Sequence, residues 1–237
     1  MGLNIEMAGI AVEILEPLPY LIEHCAQWQT DRTPEWAITT GPEDLEREKE
    51  AAEGDFSTGY LQMLAVLRKF CLQASQRGIL LFHASALQID GKAYLFTAPS
   101  GTGKSTHARL WREAFGSRVT MINDDKPLIR LENGRFYAYG TPWNGKHRLS
   151  TRTSAEIAGI CFLAQGKSNV IQPLSGREAL PALMTQIHKP ESAEGTRDYL
   201  MLVSRLAQTV PVWRMECTIS PEAAQLSYQT MTGSRAE

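Results

Sequence analysis

Between residues 57 and 78, apolar side chains recur every three or four positions, which is the spacing of a helix with one apolar face. The stripe consists of Tyr60, Leu64, Leu67 and Cys71, widened by Met63, Val66 and Phe70. Ser57 suits the N-cap of this helix, and Gly78 suits its end. We therefore predict a helix that packs on a sheet, with its methionine and aromatic side chains in the core rather than against a ligand.

Strand and helix patterns alternate along the rest of the chain. Strands are predicted at residues 79–89, 92–97, 118–123, 127–131, 135–139, 157–164, 170–174 and 212–217. Helices are predicted at residues 103–115, 176–188 and 192–206, and from residue 220 onward. The pairs Asp90-Gly91 and Asn133-Gly134 predict two-residue hairpin turns, because glycine tolerates positive φ. Since hairpins coexist with a strand–helix–strand unit, we predict an α/β fold with α+β character, built on a mixed β-sheet with flanking helices.

The first 56 residues have a less regular pattern. A short apolar strand is predicted at residues 8–14, and four prolines interrupt the chain between positions 17 and 42. Residues 43–53 are rich in glutamate, and because blocks of charge are usually solvated we predict an exposed helix face there rather than an acidic docking surface. The chain is thus predicted to have an N-terminal strand and helix appendage, residues 1–56, and a core domain, residues 57–237.

Composition narrows the class of protein. The 237 residues are 43% hydrophobic and carry a formal charge of −2, which argues against a nucleic-acid coat or a polybasic membrane binder. No apolar run approaches the roughly 18 residues of a membrane-spanning helix, and the N-terminus is acidic where a signal peptide would be basic. Four well-separated cysteines without a C-x-x-C pair favour reduced thiols. We expect a cytoplasmic globular protein that binds neither nucleic acid nor membrane.

The most informative segment is A-P-S-G-T-G-K-S at residues 98–105, which matches the Walker A pattern except that Ala98 replaces the first glycine. Glycines let successive N–H groups curl into an anion-binding nest, and the loop opens into a helix N-terminus that favours phosphate. Lys104 supplies a cation for the β- and γ-phosphates of ATP, and Ser105 supplies a hydroxyl for Mg²⁺. Ala98 is compatible with this loop if its φ is negative. The predicted nucleotide-binding residues are Pro99, Ser100, Gly101, Thr102, Gly103, Lys104, Ser105 and Thr106.

Two carboxylates follow this loop by about twenty residues. The predicted strand 118–123 ends in Asp124-Asp125, and the carboxyl end of such a strand lies beside the phosphate loop in α/β sheets. One aspartate can hold Mg²⁺, and the other can accept the proton of an attacking hydroxyl. Successive side chains diverge along a strand, so only one can face the γ-phosphate directly. We assign Asp124 as the proton acceptor and Asp125, with Ser105, as metal ligand; the alternative is an acidic turn in solvent.

Two further positions have both a structural and a catalytic interpretation. His83 is predicted in the middle of the strand 79–89, either as a hydrogen-bonded core residue or as the partner of an aspartate at the phosphate site. A turn-rich loop carries three cationic residues, Lys146, His147 and Arg148. They either hold the transferring phosphate or an acidic substrate, or are exposed without a function. The catalytic candidates are His83, Lys104, Asp124 and Lys146.

At these residues the chain resembles the superfamily of HPr kinase/phosphorylase and phosphoenolpyruvate carboxykinase. The resemblance rests on the His83 strand, the following hairpin, the loop 99–105 and Asp124-Asp125, and it covers about residues 79–165. It implies a mixed-sheet P-loop core in which a nucleoside triphosphate and Mg²⁺ serve phosphate transfer to serine. It also implies that His83 and one aspartate cooperate at the attacking hydroxyl.

The loop with the three cations departs from the bifunctional members of that superfamily. Residues 139–150 read YGTPWNGKHRLS, where the bifunctional HPr enzymes have an E-x-R-G-L-G-type signature. This segment is similar to small HPr-kinase-like proteins, some of which phosphorylate peptide serines. The departure argues against HPr itself as the substrate and against the reverse phosphorolysis reaction.

The sequence therefore predicts a kinase that uses ATP and Mg²⁺ to phosphorylate a hydroxyl, serine above all, of a peptide, protein or small molecule. Two other classes stay open. One is a nucleotide-binding regulatory module with slow ATP hydrolysis, because a phosphate loop establishes binding and not transfer. The other is a lyase like phosphoenolpyruvate carboxykinase, which the chain length disfavours. The expected partners are a nucleoside triphosphate and the hydroxyl-bearing acceptor, and the sequence is also compatible with a homo-oligomer.

Overall fold

The computed structural model describes residues 2–52, 54–190 and 192–233. The strands in this part of the chain are β1 (Leu3–Met7), β2 (Ile10–Ile14), β3 (Trp36–Ile38), β4 (Ile79–Leu81), β5 (Ser85–Ile89), β6 (Lys92–Thr97), β7 (Val119–Asn123), β8 (Leu128–Glu132), β9 (Arg135–Tyr139), β10 (Ser154–Gln165), β11 (Val170–Pro173) and β12 (Val212–Cys217). The helices are α1 (Pro19–His24), α2 (Pro42–Ala51), α3 (Thr58–Ala74), α4 (Lys104–Phe115), α5 (Gly176–Met184), α6 (Ala193–Thr209) and α7 (Pro221–Thr232). None of these helices has both the length and the apolar content needed to cross a membrane.

Nine strands form one mixed sheet, which confirms the predicted fold class. Seven of them follow the order β4-β8-β9-β10-β6-β5-β7, and β12 and then β11 extend the sheet from β10. β10 is parallel to β6 and β12, whereas its pairing with β9 and the hairpin pairings are antiparallel. β9 pairs with residues 154–156 of β10 and β12 pairs with residues 160–165. Because β6 occupies the other edge, β9 and β12 divide one edge of β10 between them.

Helices cover both faces of this sheet. Along β6, Leu95 belongs to one buried cluster while its neighbours Tyr94 and Phe96 belong to another, as expected when successive side chains point to opposite faces. The Phe96 cluster includes buried side chains of α4 and α7, among them Trp111. The Leu95 cluster includes buried side chains of α5 and α6, among them Tyr199. The sheet is therefore the middle layer of the fold.

The two predicted hairpin turns are confirmed. Asp90 and Gly91 join β5 to β6 with φ values of 51° and 77°, and Asn133 and Gly134 join β8 to β9 with φ values of 47° and 86°. Positive φ at both central residues is the requirement of a type I′ turn, which aspartate, asparagine and glycine satisfy at least cost. The local sequence thus determines the register of two antiparallel pairs.

Two predicted strands are wrong in detail. The predicted strand 79–89 is two strands, β4 and β5, and His83 lies in the break between them rather than in mid-strand. The backbone N–H groups of residues 82–84 donate to carbonyls of Pro127, Gln186 and Asp125, so loops replace a strand neighbour there. The predicted strand 8–14 begins only at residue 10, because positive φ at Ala8 and Gly9 makes a turn that leads back to the unpredicted strand β1.

The N-terminal residues form a three-stranded sheet, β1-β2-β3, that shares a buried cluster with α3. Ile5 and Val12 of this sheet lie in one cluster with Phe70 of α3 and Leu128 of β8. The predicted division of the chain at residue 56 stays a prediction. As predicted for the acidic segment, α2 has no buried side chain. Two of its carboxylates nevertheless accept hydrogen bonds from Arg68, at 2.8 and 2.6 Å.

A buried histidine joins α4 to α7. His107 is 2% exposed, its Nε2 lies 2.9 Å from Oγ of Ser227, and its Nδ1 has no hydrogen-bond partner in the described part of the chain. The Ser227 hydroxyl donates to the carbonyl of Ala223, so it accepts from Nε2–H and leaves Nδ1 as the unprotonated nitrogen. Burial lowers the pKa of His107 to about 4. A proton on Nδ1 would be an unpaired charge inside the protein.

We expect this histidine to reduce folding stability in acid. The unfolded chain takes up the proton near pH 6.5 and the folded chain only near pH 4, so stability is lost as the pH falls through that range. The free energy of unfolding should decrease by about 2 kcal/mol between pH 7 and pH 5 because of this histidine. The free energy of unfolding, measured with urea across this pH range, should fall more steeply with decreasing pH in the natural protein than in His107→Gln. Equal slopes in the two proteins would contradict the expectation.

Candidate functional site

The glycine-rich loop, residues 98–105, connects the end of β6 to the start of α4. Gly101 has a φ of +77° and Gly103 a φ of +120°, which are backbone conformations that other residues rarely adopt. A Cβ at either glycine would meet no atom within 4 Å, so the backbone conformation rather than space requires glycine. Ala98 does not have a positive φ, which is the condition under which alanine can stand at the first position.

Lys104 begins α4 and folds back across this loop. Its Nζ donates a hydrogen bond of 3.0 Å to the carbonyl of Ala98, and the residue is buried. Burial lowers the pKa of Lys104, while the nearby charge of Asp125 acts in the opposite direction. An ammonium group has three N–H donors and this contact uses one of them. The others are available to an acceptor that lies in the loop.

Asp125 and His83 form a pair beside the loop. Nε2 of His83 lies 3.3 Å from Oδ1 of Asp125, and Nζ of Lys126 lies 2.5 Å from Oδ2 of the same carboxylate. Burial raises the pKa of Asp125, but the hydrogen bonds and charges of His83 and Lys126 outweigh burial and hold that pKa well below its usual range. The Asp125 carboxylate is therefore ionised at neutral pH.

Asp124 has a different environment from its neighbour. It is 3% exposed, and its Oδ1 accepts a hydrogen bond of 2.6 Å from the backbone N–H of Gly145. Burial raises the pKa of Asp124, although the backbone N–H groups of Gly145 and Leu149 act against that rise. The two carboxylates thus point to different partners, in line with the expected divergence of successive side chains.

Asn123, which sequence reasoning missed, holds the acidic pair in place. It is fully buried, and its Oδ1 accepts from the backbone N–H groups of Asp125 and Lys126, at 2.9 and 2.7 Å. Its Nδ2 donates to the carbonyls of Thr141 and Trp143. The available signal was an asparagine that ends a strand, because its side chain readily bonds the backbone two residues further on.

The 140–150 loop closes one side of the site. Lys146 is exposed, and Gly145 beside it is in contact with the acidic pair: a Cβ added there would come within 3.1 Å of a carboxylate oxygen of Asp124. The start of the loop is fixed to the N-terminal half of the chain. His24 Nε2 lies 2.6 Å from the carbonyl oxygen of Pro142, and the indole of Trp143 donates to the carbonyl of Met63 at 2.8 Å.

These elements surround a cleft of about 830 Å³. The predicted site residues that line it are His83, Ser100, Gly101, Gly103, Lys104, Ser105, Thr106, Asp124, Asp125 and Lys146. Pro99 and Thr102 belong to the loop but do not line the cleft. The structure therefore brings the glycine-rich loop, the acidic pair, His83 and Lys146 to one place.

Part of the cleft lining is aromatic, and sequence reasoning missed it. Phe56 and Tyr60 stack with ring centroids 4.9 Å apart, and Tyr20 lies edge-on to Tyr60 at 6.4 Å and stacked on His24 at 5.6 Å. The prediction that α3 directs its aromatic side chains into the core is wrong for Tyr60, which lines the cleft, although Phe70 is fully buried. Periodicity cannot separate these two positions, because both lie on the same broad apolar stripe.

The predicted metal ligands offer only part of a coordination shell. Ser105 contributes a hydroxyl and Asp125 a carboxylate, both hard oxygen donors of the kind that Mg²⁺ prefers. Within residues 2–52, 54–190 and 192–233, no group of three or more His, Cys, Asp or Glu side chains could hold a metal on its own. The donor set suits an ion that takes its remaining ligands from phosphate and water.

Fold and site together define an α/β protein with a mixed sheet, in which a glycine-rich strand-to-helix loop and an acidic pair share one cleft. The model of the family described as SynChlorMet cassette protein ScmC matches residues 50–223. The chain therefore belongs to the SynChlorMet cassette protein ScmC family.

A comparison with solved structures gives a distant similarity. The chain is similar to the HPr(Ser) kinase/phosphatase from Coxiella burnetii, with 12% sequence identity and a TM-score of 0.36. The alignment covers 65% of this chain and 93% of that one. No curated protein matches the sequence.

Proposed function

We propose that this protein is a kinase that transfers the γ-phosphate of ATP, with Mg²⁺, to a hydroxyl group, above all that of a serine. The observation that supports it is the single cleft shared by the glycine-rich loop, the buried Lys104 and the paired Asp125 and His83. Nucleotide binding alone requires only the loop. Carboxylates that face the loop supply what the transfer of phosphate to a hydroxyl additionally needs.

The loop side of the cleft suits a triphosphate. Positive φ at Gly101 and Gly103 curls the backbone ahead of the N-terminus of α4, where unpaired N–H groups and the helix dipole favour an anion. Lys104 is held over this loop by the carbonyl of Ala98 and has further N–H donors for the β- and γ-phosphates. The proposed nucleotide-binding residues are therefore those predicted from the sequence, residues 99–106.

Ser105 and Asp125 are the residues that would hold Mg²⁺. The ion, when bound, neutralises charge on the β- and γ-phosphates. Asp125 is suited to this task because His83 and Lys126 keep its pKa low and hence its carboxylate ionised. His83 would position that carboxylate from the break between β4 and β5.

Asp124 is the proposed proton acceptor. The oxygen of the acceptor hydroxyl forms a bond to the γ-phosphorus while the bond from that phosphorus to the bridging oxygen breaks, and the bridging oxygen leaves with ADP and the electron pair. The hydroxyl proton passes to the Asp124 carboxylate, whose pKa is raised by burial. Lys146, exposed on the 140–150 loop that lines the cleft, would stabilise the charge of the phosphoryl group in transfer.

The proposal is tested by incubating the protein with γ-labelled ATP and Mg²⁺ together with serine-containing peptides and the products of neighbouring genes. We expect label in a serine phosphoester of an acceptor and none when Mg²⁺ is removed with a chelator. Label that appears only as inorganic phosphate would contradict the kinase proposal and leave an ATPase. Failure to bind ATP would contradict nucleotide binding itself.

One observation favours a second function, a nucleotide-binding regulatory module. Asp124 is almost fully buried and is hydrogen-bonded to the backbone of the 140–150 loop, which is also what a purely structural anchor would do. In such a module, nucleotide binding at the loop would change the position of the 140–150 loop and no phosphate would be transferred. The two functions differ in the expected behaviour of Asp124→Asn, which is discussed below.

A further inference from the structure

Two smaller cavities open from the cleft, and each shares a different set of residues with it. The helix arm, about 430 Å³, shares with the cleft Ser105, Thr106, Asp124 and His147. The N-terminal arm, about 240 Å³, shares with the cleft Tyr20, His24, Asn144 and Arg148. Among the residues that the structure describes, none lines both arms, so each arm joins the cleft through its own set of side chains.

The course of the glycine-rich loop assigns the helix arm to the nucleoside. Lys104 and Asp125, which would face the β- and γ-phosphates, line only the cleft. Ser105 and Thr106 follow Lys104 along α4 and line both the cleft and the helix arm. A triphosphate that runs from Lys104 past Thr106 leads its nucleoside into that arm, where Met121 and Leu149 supply apolar surface. The N-terminal arm is then left for the phosphate acceptor.

The chemistry around the N-terminal arm is aromatic and cationic. Tyr20 and Trp28 line the arm, and Phe56, 43% exposed, stands at the adjoining side of the cleft. Arg148 lines both the arm and the cleft and, within the described part of the chain, forms no ion pair with a carboxylate. Glu23 is a carboxylate that also lines this arm, but it is exposed and makes no ion pair with Arg148.

The two residues before Arg148 also belong to the lining of the cleft. Lys146 and His147 are exposed and line the cleft, and neither has an ion-pair partner among the residues that the structure describes. Lys104 already provides for the triphosphate and Lys146 is assigned to the phosphoryl group in transfer, so Arg148 is the side chain left to attract a second anionic group. An extended acidic chain with an apolar side chain fits the combination, because it can follow an open groove past the aromatic rings.

We propose, on the basis of the kinase function above, that the acceptor is an acidic peptide segment. It binds along the N-terminal arm, with an apolar residue next to the phosphorylated hydroxyl against Tyr20 and Phe56, and with carboxylates facing Arg148. The N-terminal residues of the chain and the 140–150 loop thus select the substrate, whereas the glycine-rich loop and the acidic pair serve the phosphate chemistry.

Two matched synthetic peptides test this assignment. Each has twelve residues with one central serine flanked by leucines, and the outer positions are glutamate in one peptide and lysine in the other. Transfer is measured as kcat/KM with γ-labelled ATP, and binding by fluorescence anisotropy with Mg²⁺ and a non-hydrolysable ATP analogue. We expect the natural protein to prefer the acidic peptide by about 10-fold or more.

Arg148→Glu should lose that preference, mainly through a higher KM for the acidic peptide. Lys167→Glu is the matched control, because it makes the same change of charge at an exposed turn that lines neither the cleft nor its arms. ATP binding measured by calorimetry should be the same in both variants. If Arg148→Glu fails to fold, Arg148→Gln removes the charge without reversing it and should reduce the preference by a smaller factor.

The outcomes separate this inference from the kinase proposal. Equal transfer to the two peptides, or an unchanged preference in the folded Arg148 variants, would overturn the acidic-peptide assignment while the kinase proposal holds. ATP binding without binding of either peptide would overturn it as well. Absence of ATP binding in the natural protein would instead remove the proposed function on which the inference rests.

Discussion

Lys104→Met is expected to lower phosphoryl transfer by about 100-fold or more and to weaken ATP binding. Methionine keeps an unbranched side chain of similar length but has no charge and no N–H donors. The lost ammonium is the group that the carbonyl of Ala98 holds over the glycine-rich loop. Phosphoryl transfer depends on neutralising charge at the β- and γ-phosphates, so this single change should remove most of the rate.

The measurements are isothermal calorimetry with Mg²⁺ and ATP, label transfer from γ-labelled ATP, and thermal unfolding. The unfolding midpoint should not fall, because burial of the Lys104 ammonium is itself unfavourable, as its lowered pKa indicates. Lys167→Met serves as control and should bind and transfer like the natural protein. A Lys104→Met variant with natural ATP affinity would show that the glycine-rich loop does not hold the triphosphate.

Asp124→Asn should reduce transfer by about 100-fold to 10,000-fold while leaving ATP affinity within a few-fold of its natural value. Asparagine retains an oxygen that can accept the hydrogen bond from the backbone N–H of Gly145, so the 140–150 loop stays attached. It cannot take up the hydroxyl proton. The expected loss is therefore a loss of kcat, measured by label transfer at saturating ATP.

Asp125→Asn is the informative comparison for that variant. It should raise the Mg²⁺ concentration needed for ATP binding, because it removes the carboxylate that His83 and Lys126 keep ionised. Unchanged transfer in Asp124→Asn would show that Asp124 is an anchor of the 140–150 loop and would favour the regulatory module. If both variants need a higher Mg²⁺ concentration than the natural protein to bind ATP, both aspartates hold the ion.

The sequence predicted the elements whose pattern is local. The two hairpins were predictable because Asp90-Gly91 and Asn133-Gly134 meet the positive-φ requirement of their turns. The split of residues 79–89 was not, because the partners of residues 82–84 are carbonyls of Pro127, Gln186 and Asp125, between 41 and 103 residues away. A run of apolar residues does not indicate that its backbone N–H groups donate to carbonyls of distant loops instead of to a neighbouring strand.

The candidate site divides in the same way. The glycine-rich loop is a contiguous motif, and its residues could be named from the sequence because its glycines follow from the backbone conformation that the loop needs. Tyr20 and Phe56 could not be named, because their positions in the site come from tertiary contacts with residues far away in the chain. Asn123 had a local signal, its place at the end of a strand, but its bonds to Thr141 and Trp143 required the structure. His83 was named, but its contact with Asp125 rather than Asp124 required the structure.

The hydrogen bonds of Asn123 have a consequence for the evolution of this molecule. One buried side chain bonds the turn of Asp125 and Lys126 to the segment around Thr141 and Trp143, so two parts of the cleft wall are joined through a single residue. A substitution of Asn123 would therefore disturb both segments at once. The side of the cleft around Tyr20 is joined to the same loop, because His24 contacts the carbonyl of Pro142 and the indole of Trp143 donates to the carbonyl of Met63. New specificities can therefore arise at Tyr20 and Phe56 as long as these two anchors are kept.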